Sequence, residues 1–189
     1  MTHKTALVLI AHGTEEMEVV ITVDVLRRAG IHVVLASVDV EGAVAECSRG
    51  VKVVGDVRLE DYQQQQQNPL DAIIIPGGLN GAKTMAASST VRGLLTTYHK
   101  AGRLVAAICA GPTVLAAAGI APGSKITSYP SVRAELDSDY AYSEERVVQD
   151  GNMITSRGPG TAMEFALAIA KYLVGQSQSE TVAAQLILP

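Results

Sequence analysis

Short apolar runs alternate with helical segments along this chain, and that alternation limits its fold more than any other feature. The clearest apolar runs cover residues 5–11, 31–37, 71–75 and 103–108, and the first helical patterns cover 15–29, 88–100 and 112–118. Runs that lack polar alternation belong to strands buried on both faces, as in a parallel sheet between helix layers. We therefore predict an α/β fold with a doubly wound, mostly parallel sheet and a single domain over residues 1–189.

Weaker patterns fill the rest of the chain. Residues 44–47 and 51–54 flank a turn at Gly50 and predict a small antiparallel hairpin. A short helix over 57–68 is expected to run into a surface loop at the glutamine run 63–67. Later strands are predicted at 125–128, 146–149 and 152–156, and later helices at 159–174 and 179–186. Because sites in such sheets form beyond the carboxyl ends of the strands, loops 11–18, 75–81 and 108–112 are expected to meet there.

The charge and the cysteine content exclude several classes of protein. The net charge is −4, with interspersed signs and no basic run, so we expect no specific nucleic-acid partner. The two cysteines, Cys47 and Cys109, lie far apart in different kinds of segment, which argues against a disulfide framework and favours a reducing compartment. The apolar run 6–11 is too short to span a membrane. We expect a cytoplasmic protein without a membrane span, and leave open a nuclear or mitochondrial fraction.

Cys109 lies at a strand-to-helix turn that is typical of a nucleophile. Five apolar residues lead into it, and Gly111 and Pro112 follow, with proline suited to the first position of a helix. The pattern Ala-x-Cys-x-Gly differs by one residue from the Gly-x-nucleophile-x-Gly turn of α/β hydrolases. A helix N-terminus stabilises a thiolate, so a lowered thiol pKa is expected. The alternative is a small buried side chain that ends a strand.

Glu18 lies in a helix that is apolar almost all the way round. Such a helix must be covered on more than one side, which favours a second subunit beside the sheet. The carboxyl group of Glu18 is then in apolar surroundings that favour its protonated form, in which it can donate a hydrogen bond to the Cys109 sulfur and move protons. The alternative is a surface glutamate. For Glu15 and Glu16 we expect only the usual favourable effect of acidic residues in a first helical turn.

Adjacent glycines, Gly77 and Gly78, follow the strand 71–75. They fail the spacing of a dinucleotide-binding loop, and no Gly-Lys-Ser/Thr follows, so no nucleotide cofactor is expected. Two interpretations stay open: backbone N–H groups that bind an oxyanion, or a tight turn that needs glycine.

A thiol hydrolase would pair Cys109 with a histidine, and no histidine follows Cys109 in the chain. His99 precedes a strand and His32 starts one, which places both at the opposite edge of the sheet from the cysteine. Only His12 comes just after a strand and reaches the right edge. A thiol peptidase that uses His12 is therefore the weaker alternative, and a Cys109–Glu18 pair is the main hypothesis.

Together these stretches resemble the ThiJ/PfpI superfamily from end to end, and within it the branch of the parkinsonism-associated redox protein. The matching segments are residues 13–18, 25–30, 47–49, 76–78, 106–112 and 154–161. The resemblance implies a flavodoxin-like sandwich that forms a homodimer partly through its first helix. It also implies that Cys109 oxidises readily to a sulfinate held by protonated Glu18.

The resemblance further assigns the surroundings of the cysteine. It implies that Gly78 and Ala110 supply backbone N–H groups to bound oxygens and that Pro159 lines the pocket. Arg28 and Arg49 would lie close to the pocket, with Arg49 contributed across the dimer. Where many members carry a histidine this chain has Tyr129, and a phenol is a poor base at neutral pH.

The activities implied by the resemblance need no cofactor and no metal. They are a glyoxalase reaction that converts methylglyoxal to lactate, and deglycase action on early glycation adducts, so the substrates would be small 2-oxoaldehydes or glycated groups. The alternative is a non-catalytic redox sensor or chaperone in the oxidative stress response, switched by the Cys109 sulfinate. A second peripheral cysteine of the family is replaced by Val54, while Cys47 is kept, as a strand residue or a modification site.

Overall fold

The computed structural model describes residues 4–65 and 70–188. Its strands are β1 (Thr5–Ile10), β2 (His32–Ser37), β3 (Val44–Glu46), β4 (Lys52–Val54), β5 (Val57–Arg58), β6 (Ala72–Ile75), β7 (Leu104–Ile108), β8 (Lys125–Ile126), β9 (Ala141–Tyr142), β10 (Val147–Asp150) and β11 (Met153–Ser156). The α-helices are α1 (Glu16–Arg28), α2 (Leu59–Gln65), α3 (Leu79–Ala87), α4 (Ser89–Lys100), α5 (Pro112–Ala117), α6 (Ala162–Val174) and α7 (Gln176–Gln185).

Seven strands of the described chain form one sheet in the order β10-β11-β7-β6-β1-β2-β5. Every neighbouring pair in it is parallel except β10 and β11. Alternate side chains of β1 enter two cores on opposite faces. Val8 packs with Phe165 of α6 on one face, and Leu9 packs with Met85 and Leu95 of α3 and α4 on the other. The apolar runs are therefore strands buried on both sides, and the predicted doubly wound sheet between helix layers is confirmed.

Two small strand pairs lie outside this sheet. The strands β3 and β4 pair antiparallel, as predicted for the segment around Gly50. The strands β8 and β9 form a second, parallel pair, of which β9 was not predicted because it is only two residues long. The segment 57–68 begins as a strand and continues as α2, and the end of the glutamine run, at Gln66 and Gln67, lies outside the described residues.

The largest difference from the predicted elements is α3, which begins immediately after Gly78. The sequence 79–87 carries an internal glycine and no capping side chain at its start, so local signals favoured a loop. The side chain of Ser88 caps the next helix by accepting a hydrogen bond from the Val91 N–H, 3.3 Å away. Because α3 begins at Leu79, Gly77 and Gly78 lie at its N-terminus. The last two helices also begin elsewhere than predicted, because Pro159–Thr161 forms a 3₁₀ turn before α6, and α7 begins at Gln176.

The strands β1, β6 and β7 end side by side at one edge of the sheet, because they are adjacent and parallel. The loops that follow them therefore meet, as expected for the three loops 11–18, 75–81 and 108–112. Among residues 4–65 and 70–188, none of the helices has both the length and the apolar character that crossing a membrane requires.

Candidate active site

The main chain of Cys109 adopts a left-handed conformation, with φ of +64°. This region is unfavourable for residues with a side chain, by about 1–2 kcal/mol. Two hydrogen bonds hold the residue there: its N–H donates to the Ser156 carbonyl at 3.0 Å, and its carbonyl accepts from the Tyr129 N–H at 2.9 Å. The sharp turn predicted from the sequence is therefore present, and it leaves the thiol half-buried between β7 and α5.

Glu18 reaches the cysteine from α1, and its side chain is fully buried. Its Oε2 accepts a hydrogen bond of 2.6 Å from the Gly77 N–H, and its carboxyl group also shares a hydrogen bond with the Cys109 thiol. Its Oε1 is buried and has no hydrogen-bond partner among the described residues. No donor therefore compensates a negative charge on Oε1, which favours the protonated carboxyl group.

The sulfur is surrounded by donors from two helix N-termini. The backbone N–H groups of Gly78 and Ala110 both hydrogen-bond to the Cys109 sulfur. These are the two groups to which the resemblance assigned bound oxygens, and the geometry brings both to the reactive atom. Gly78 has φ of +84°, and a side chain there would overlap the carbonyl oxygen of Gly13, so only glycine fits at this position.

The acid and the thiol behave as one coupled pair. Burial is the main reason that the pKa of Glu18 is raised from 4.5 to about 7. Burial, and then the charge of an ionised Glu18, raise the pKa of the Cys109 thiol to about 12, while the Gly78 and Ala110 N–H groups lower it. Between these values the pair carries one negative charge and one proton, because two adjacent buried charges would repel each other.

The expectation of a lowered thiol pKa was therefore wrong in direction. The helix N-terminal donors do act as the sequence suggested, but desolvation and the Glu18 carboxylate outweigh them. Glu18 becomes the group that releases a proton near neutral pH, which suits it to accept the thiol proton when the sulfur attacks.

A pocket of about 510 Å³ opens over the thiol. The residues named from the sequence that line it are Glu15, Arg49, Gly78, Cys109, Ala110, Tyr129 and Pro159, and Ser48 joins them. Gly77 and Glu18 lie beneath the sulfur and complete the site. Arg49 lines the pocket of its own chain, whereas the resemblance implied that a partner subunit contributes it.

Arg28 is not among the residues that line the pocket of its own chain, and its place near the pocket in a dimer stays a prediction. It lies at the end of α1, about 15 Å along the helix from Glu18 at 1.5 Å per residue. Its guanidinium instead pairs with Asp24 at 2.7 Å, one helical turn away.

A buried polar clamp at the start of α1 has no counterpart among the features predicted from the sequence. Glu15 and Glu16 are both buried, and the Ser48 hydroxyl lies 2.8 Å and 3.0 Å from their carboxylate oxygens. The Arg49 N–H also donates to Glu16, at 2.9 Å. Burial opposes ionisation of Glu16, but its hydrogen bonds, including those from Ser48 and Arg49, together hold its pKa below the usual value. The two acids therefore do more than favour the helix dipole: they hold the turn that carries Arg49.

Other residues of the pocket wall had no sequence signal that distinguished them from ordinary loop residues. They are Gly13, Leu79, Asn80 and Ser131. Gly13 follows β1, Leu79 and Asn80 begin α3, and Ser131 lies in a 3₁₀ turn after β8, so only the assembled fold brings them together.

His12 and Cys47 lie outside the pocket wall. His12 is exposed, and its Nδ1 accepts a hydrogen bond of 3.1 Å from the Glu46 N–H, so it is engaged away from Cys109. Cys47 is buried, and its pKa is raised to about 11 by burial and by the nearby Glu16 and Glu15. Cys47 lies just after β3 and not in the strand, and this environment agrees with a structural role. In the described part of the chain no cluster of three or more His, Cys, Asp or Glu side chains could hold a metal ion.

Comparison with known proteins gives consistent matches over the chain. The model of the DJ-1/PfpI family matches residues 4–172. The protein dj-1beta of Drosophila melanogaster is 48% identical, over 98% of this chain and 97% of its own length. The Parkinson disease protein 7 homolog of Danio rerio is also 48% identical, over 100% of this chain and 99% of its own. The glutathione-independent glyoxalase DJR-1.2 of Caenorhabditis elegans is 40% identical, over 98% and 97%.

Solved structures agree with these matches. The crystal structure of Drosophila melanogaster DJ-1beta superposes with a TM-score of 0.94 at 46% identity and covers all of both chains. The structure titled Toxoplasma gondii DJ-1, oxidized, superposes with a TM-score of 0.88 at 37% identity, over 97% of this chain and 98% of that one. The flavodoxin-like sandwich implied by the resemblance is therefore confirmed.

Proposed function

The chain belongs to the DJ-1/PfpI family, and from that premise we propose that it is a cofactor-independent glyoxalase and deglycase that uses Cys109 as nucleophile. The observation that carries the proposal is the buried pair in which Glu18, with a pKa of about 7, shares a hydrogen bond with the thiol. The relative from Caenorhabditis elegans that is named a glutathione-independent glyoxalase supports the same reaction class.

The reaction follows from the roles that these groups can take. The Glu18 carboxylate accepts the thiol proton while the sulfur bonds to the aldehyde carbon of methylglyoxal, and the N–H groups of Gly78 and Ala110 bind the oxygen that gains charge. Glu18 returns this proton to that oxygen, which completes a hemithioacetal. As a carboxylate again, Glu18 moves a proton from the former aldehyde carbon to the neighbouring carbon, while the hydroxyl proton passes to the neighbouring oxygen, and the product is a lactoyl thioester. Water hydrolyses the thioester to lactate and returns the thiol. One carbon is oxidised as the other is reduced, so no external oxidant is consumed.

Tyr129 accounts for no proton transfer in this scheme. It lies at the rim of the pocket, 46% exposed, and a phenol is a poor base at neutral pH. We therefore assign it to substrate binding, and assign the proton transfers to Glu18.

Replacing Cys109 by serine is expected to lower methylglyoxal turnover by about a hundredfold or more, because a serine hydroxyl beside a weak carboxylate base is a poor nucleophile. The measurement is the rate of lactate formation at pH 7.5. Cys47→Ser is the matched control and should keep the wild-type rate, since Cys47 lies outside the pocket. Turnover that survives Cys109→Ser would refute the enzymatic proposal.

A redox role for the same cysteine is the second candidate. The half-buried thiol faces the pocket, and N–H donors already surround the sulfur where added oxygens would need them. The related structure from Toxoplasma gondii is titled as an oxidized form. A sulfinate at Cys109 that alters partner binding would fit this environment without any turnover.

Mild peroxide is expected to add two oxygens to Cys109, one per peroxide with release of one water each time, and none to buried Cys47. Intact-mass and peptide analysis measure this directly. Glu18→Leu removes the carboxyl group and should reduce the yield of the sulfinate, because its hydrogen bond to the modified sulfur is lost. Equal yields in both proteins would contradict a role of Glu18 in holding the sulfinate.

We also propose that the protein forms a homodimer through α1 and the adjacent hairpin. Support comes from large apolar side chains that a single chain leaves exposed. On α1 these are Met17 and Val20, both about half exposed, and on and beside β4 they are Val51 and Val54. The Arg49 N–H donates to the Glu16 carboxylate at 2.9 Å, which places the hairpin turn beside the start of α1, and exposed apolar side chains on neighbouring segments are typical of a protein–protein contact.

A further inference from the structure

The strained main chain of Cys109 depends on two neighbours that differ in how firmly they are held. The Ser156 carbonyl accepts a hydrogen bond from the Cys109 N–H, and Ser156 ends β11 inside the seven-stranded sheet. The Tyr129 N–H donates to the Cys109 carbonyl, and Tyr129 belongs to a segment outside that sheet, just after the two-residue strand β8. A non-glycine residue stays in the left-handed region only where its surroundings fix it. The segment at Tyr129 therefore needs a support of its own.

That support comes from Tyr142 of β9. The Tyr142 hydroxyl lies 3.1 Å from the Ser128 carbonyl, to which it can donate, and 3.1 Å from the Ser128 hydroxyl. The Ser128 hydroxyl in turn lies 3.1 Å from the Tyr129 carbonyl. Ser128 is fully buried, and Tyr142 is partly buried. The Tyr142 hydroxyl thus holds the Ser128 carbonyl, and the Ser128 hydroxyl holds the Tyr129 carbonyl. These two carbonyls flank the Tyr129 N–H that donates to Cys109.

Tyr142 is itself fixed from two directions. Its main chain pairs with Ile126 in the β8–β9 ladder, two residues before Ser128. Its ring carries the Arg133 guanidinium, 4.7 Å from the ring centroid. That guanidinium is held by ion pairs to Asp137 and Glu144, at 3.1 Å and 3.2 Å. A cation over the ring face is attractive and limits ring movement. The phenol is therefore a fixed point from which the segment 128–129 is held.

We propose that Tyr142 is a positioning residue for the reactive cysteine: through Ser128 and the Tyr129 N–H it holds the Cys109 carbonyl, and so keeps the sulfur between Gly78, Ala110 and Glu18. This rests on the proposed role of Cys109 as the reactive thiol. Tyr142 does not line the pocket and touches no substrate. Without its hydroxyl, the peptide at 128–129 can shift, and the Cys109 main chain can relax from its strained conformation.

The test is Tyr142→Phe, read out as the rate of Cys109 alkylation by iodoacetamide between pH 5 and 10, with peptide mass analysis. We expect alkylation at pH 7 to slow about fivefold, the factor that one net hydrogen bond is worth, and the pH profile to move to higher pH. Ser128→Ala should reproduce this effect. The double variant should be no slower than the slower single variant, because both act through one chain of contacts.

The matched control is Tyr140→Phe. Tyr140 is buried, and its hydroxyl donates a hydrogen bond of 2.6 Å to the Ile120 carbonyl rather than to the segment 128–129. The Tyr140→Phe substitution should lower thermal stability and leave the pH profile of Cys109 alkylation unchanged. A Tyr142→Phe profile that superposes on the wild type, or a Tyr140→Phe profile that shifts equally, would overturn the proposal.

Alkylation needs no turnover, so the two proposals fail separately. A wild-type protein that forms no lactate would refute the glyoxalase function, while the alkylation comparison would still decide the role of Tyr142. Normal turnover in wild type with an unshifted Tyr142→Phe profile would refute only the positioning role.

Discussion

Replacing Glu18 by glutamine is expected to slow methylglyoxal turnover by about a hundredfold or more, the usual contribution of a general base. The amide oxygen can still accept the Gly77 N–H, so the local geometry should survive, but an amide cannot take the thiol proton. In the wild type, turnover should rise with pH through about 7 as the pair loses its first proton. In Glu18→Gln that rise should disappear. A variant that keeps both the rate and the rise would contradict the assignment of Glu18 as base.

The same substitution is expected to stabilise the fold above neutral pH. The pKa of Glu18 is raised from 4.5 to about 7, so between these values the folded protein holds a proton that the unfolded chain releases. Stability is therefore lost as the pH rises through this range, by about 3 kcal/mol in total. Glutamine removes this loss. The measurement is urea unfolding at pH 5 and pH 8, where the gain in unfolding free energy should be larger at pH 8.

Glu16→Gln is the control with the opposite sign. The pKa of Glu16 is lowered, so its ionised form stabilises the folded state above its unfolded pKa, and that stability is lost as the pH falls. Glu16→Gln should therefore destabilise the protein at pH 8. If both variants change the free energy of unfolding at pH 8 in the same direction, burial does not raise the pKa of Glu18.

Gly77→Ala is expected to remove activity and to destabilise the fold. The methyl group would lie 2.5 Å from the Cys109 Cβ, 2.7 Å from the Glu18 Oε2 and 2.9 Å from the Ala110 nitrogen. None of these is the free end of a flexible surface side chain, so the thiol and the acid must be pushed apart. We expect turnover to fall about a hundredfold, because the proton transfer between the thiol and Glu18 is lost. Overpacking should also lower the free energy of unfolding by about 1–3 kcal/mol.

Gly93→Ala is the matched control for this substitution. Gly93 lies in α4, and a methyl group there would meet nothing within 4 Å. It should raise stability by about 1 kcal/mol through helix propensity and leave turnover unchanged. Lactate assays and urea unfolding of both variants give the comparison. A Gly77→Ala protein with wild-type stability and rate would show that the space between the two groups is not needed.

The sheet was predictable because its signals are local. The strand β1 is apolar at every position after Thr5, and β7 runs directly into Cys109, Gly111 and Pro112. Glu18 was identified because a carboxyl group is anomalous in an apolar helix. Each of these features is readable within one element, so no knowledge of the assembled fold was needed.

What the sequence did not reveal depends on contacts between distant segments. The clamp from Ser48 to Glu15 and Glu16 joins residues more than 30 positions apart. Whether the pKa of Cys109 is raised or lowered depends on how deeply the thiol is buried, and the helix-terminal donors alone predicted a lowered value. Arg28 lies at the far end of α1 from Glu18, so its predicted place near the pocket depends on a partner subunit.

The left-handed main chain of Cys109 also bears on any search for heat-resistant variants. A glycine at position 109 would adopt φ of +64° without strain, so this backbone would be more stable with an inert residue at its reactive position. Screening for thermal tolerance alone would therefore enrich proteins that have lost their chemistry. An assay for the thiol has to accompany each round of selection if the protein is to remain both robust and reactive.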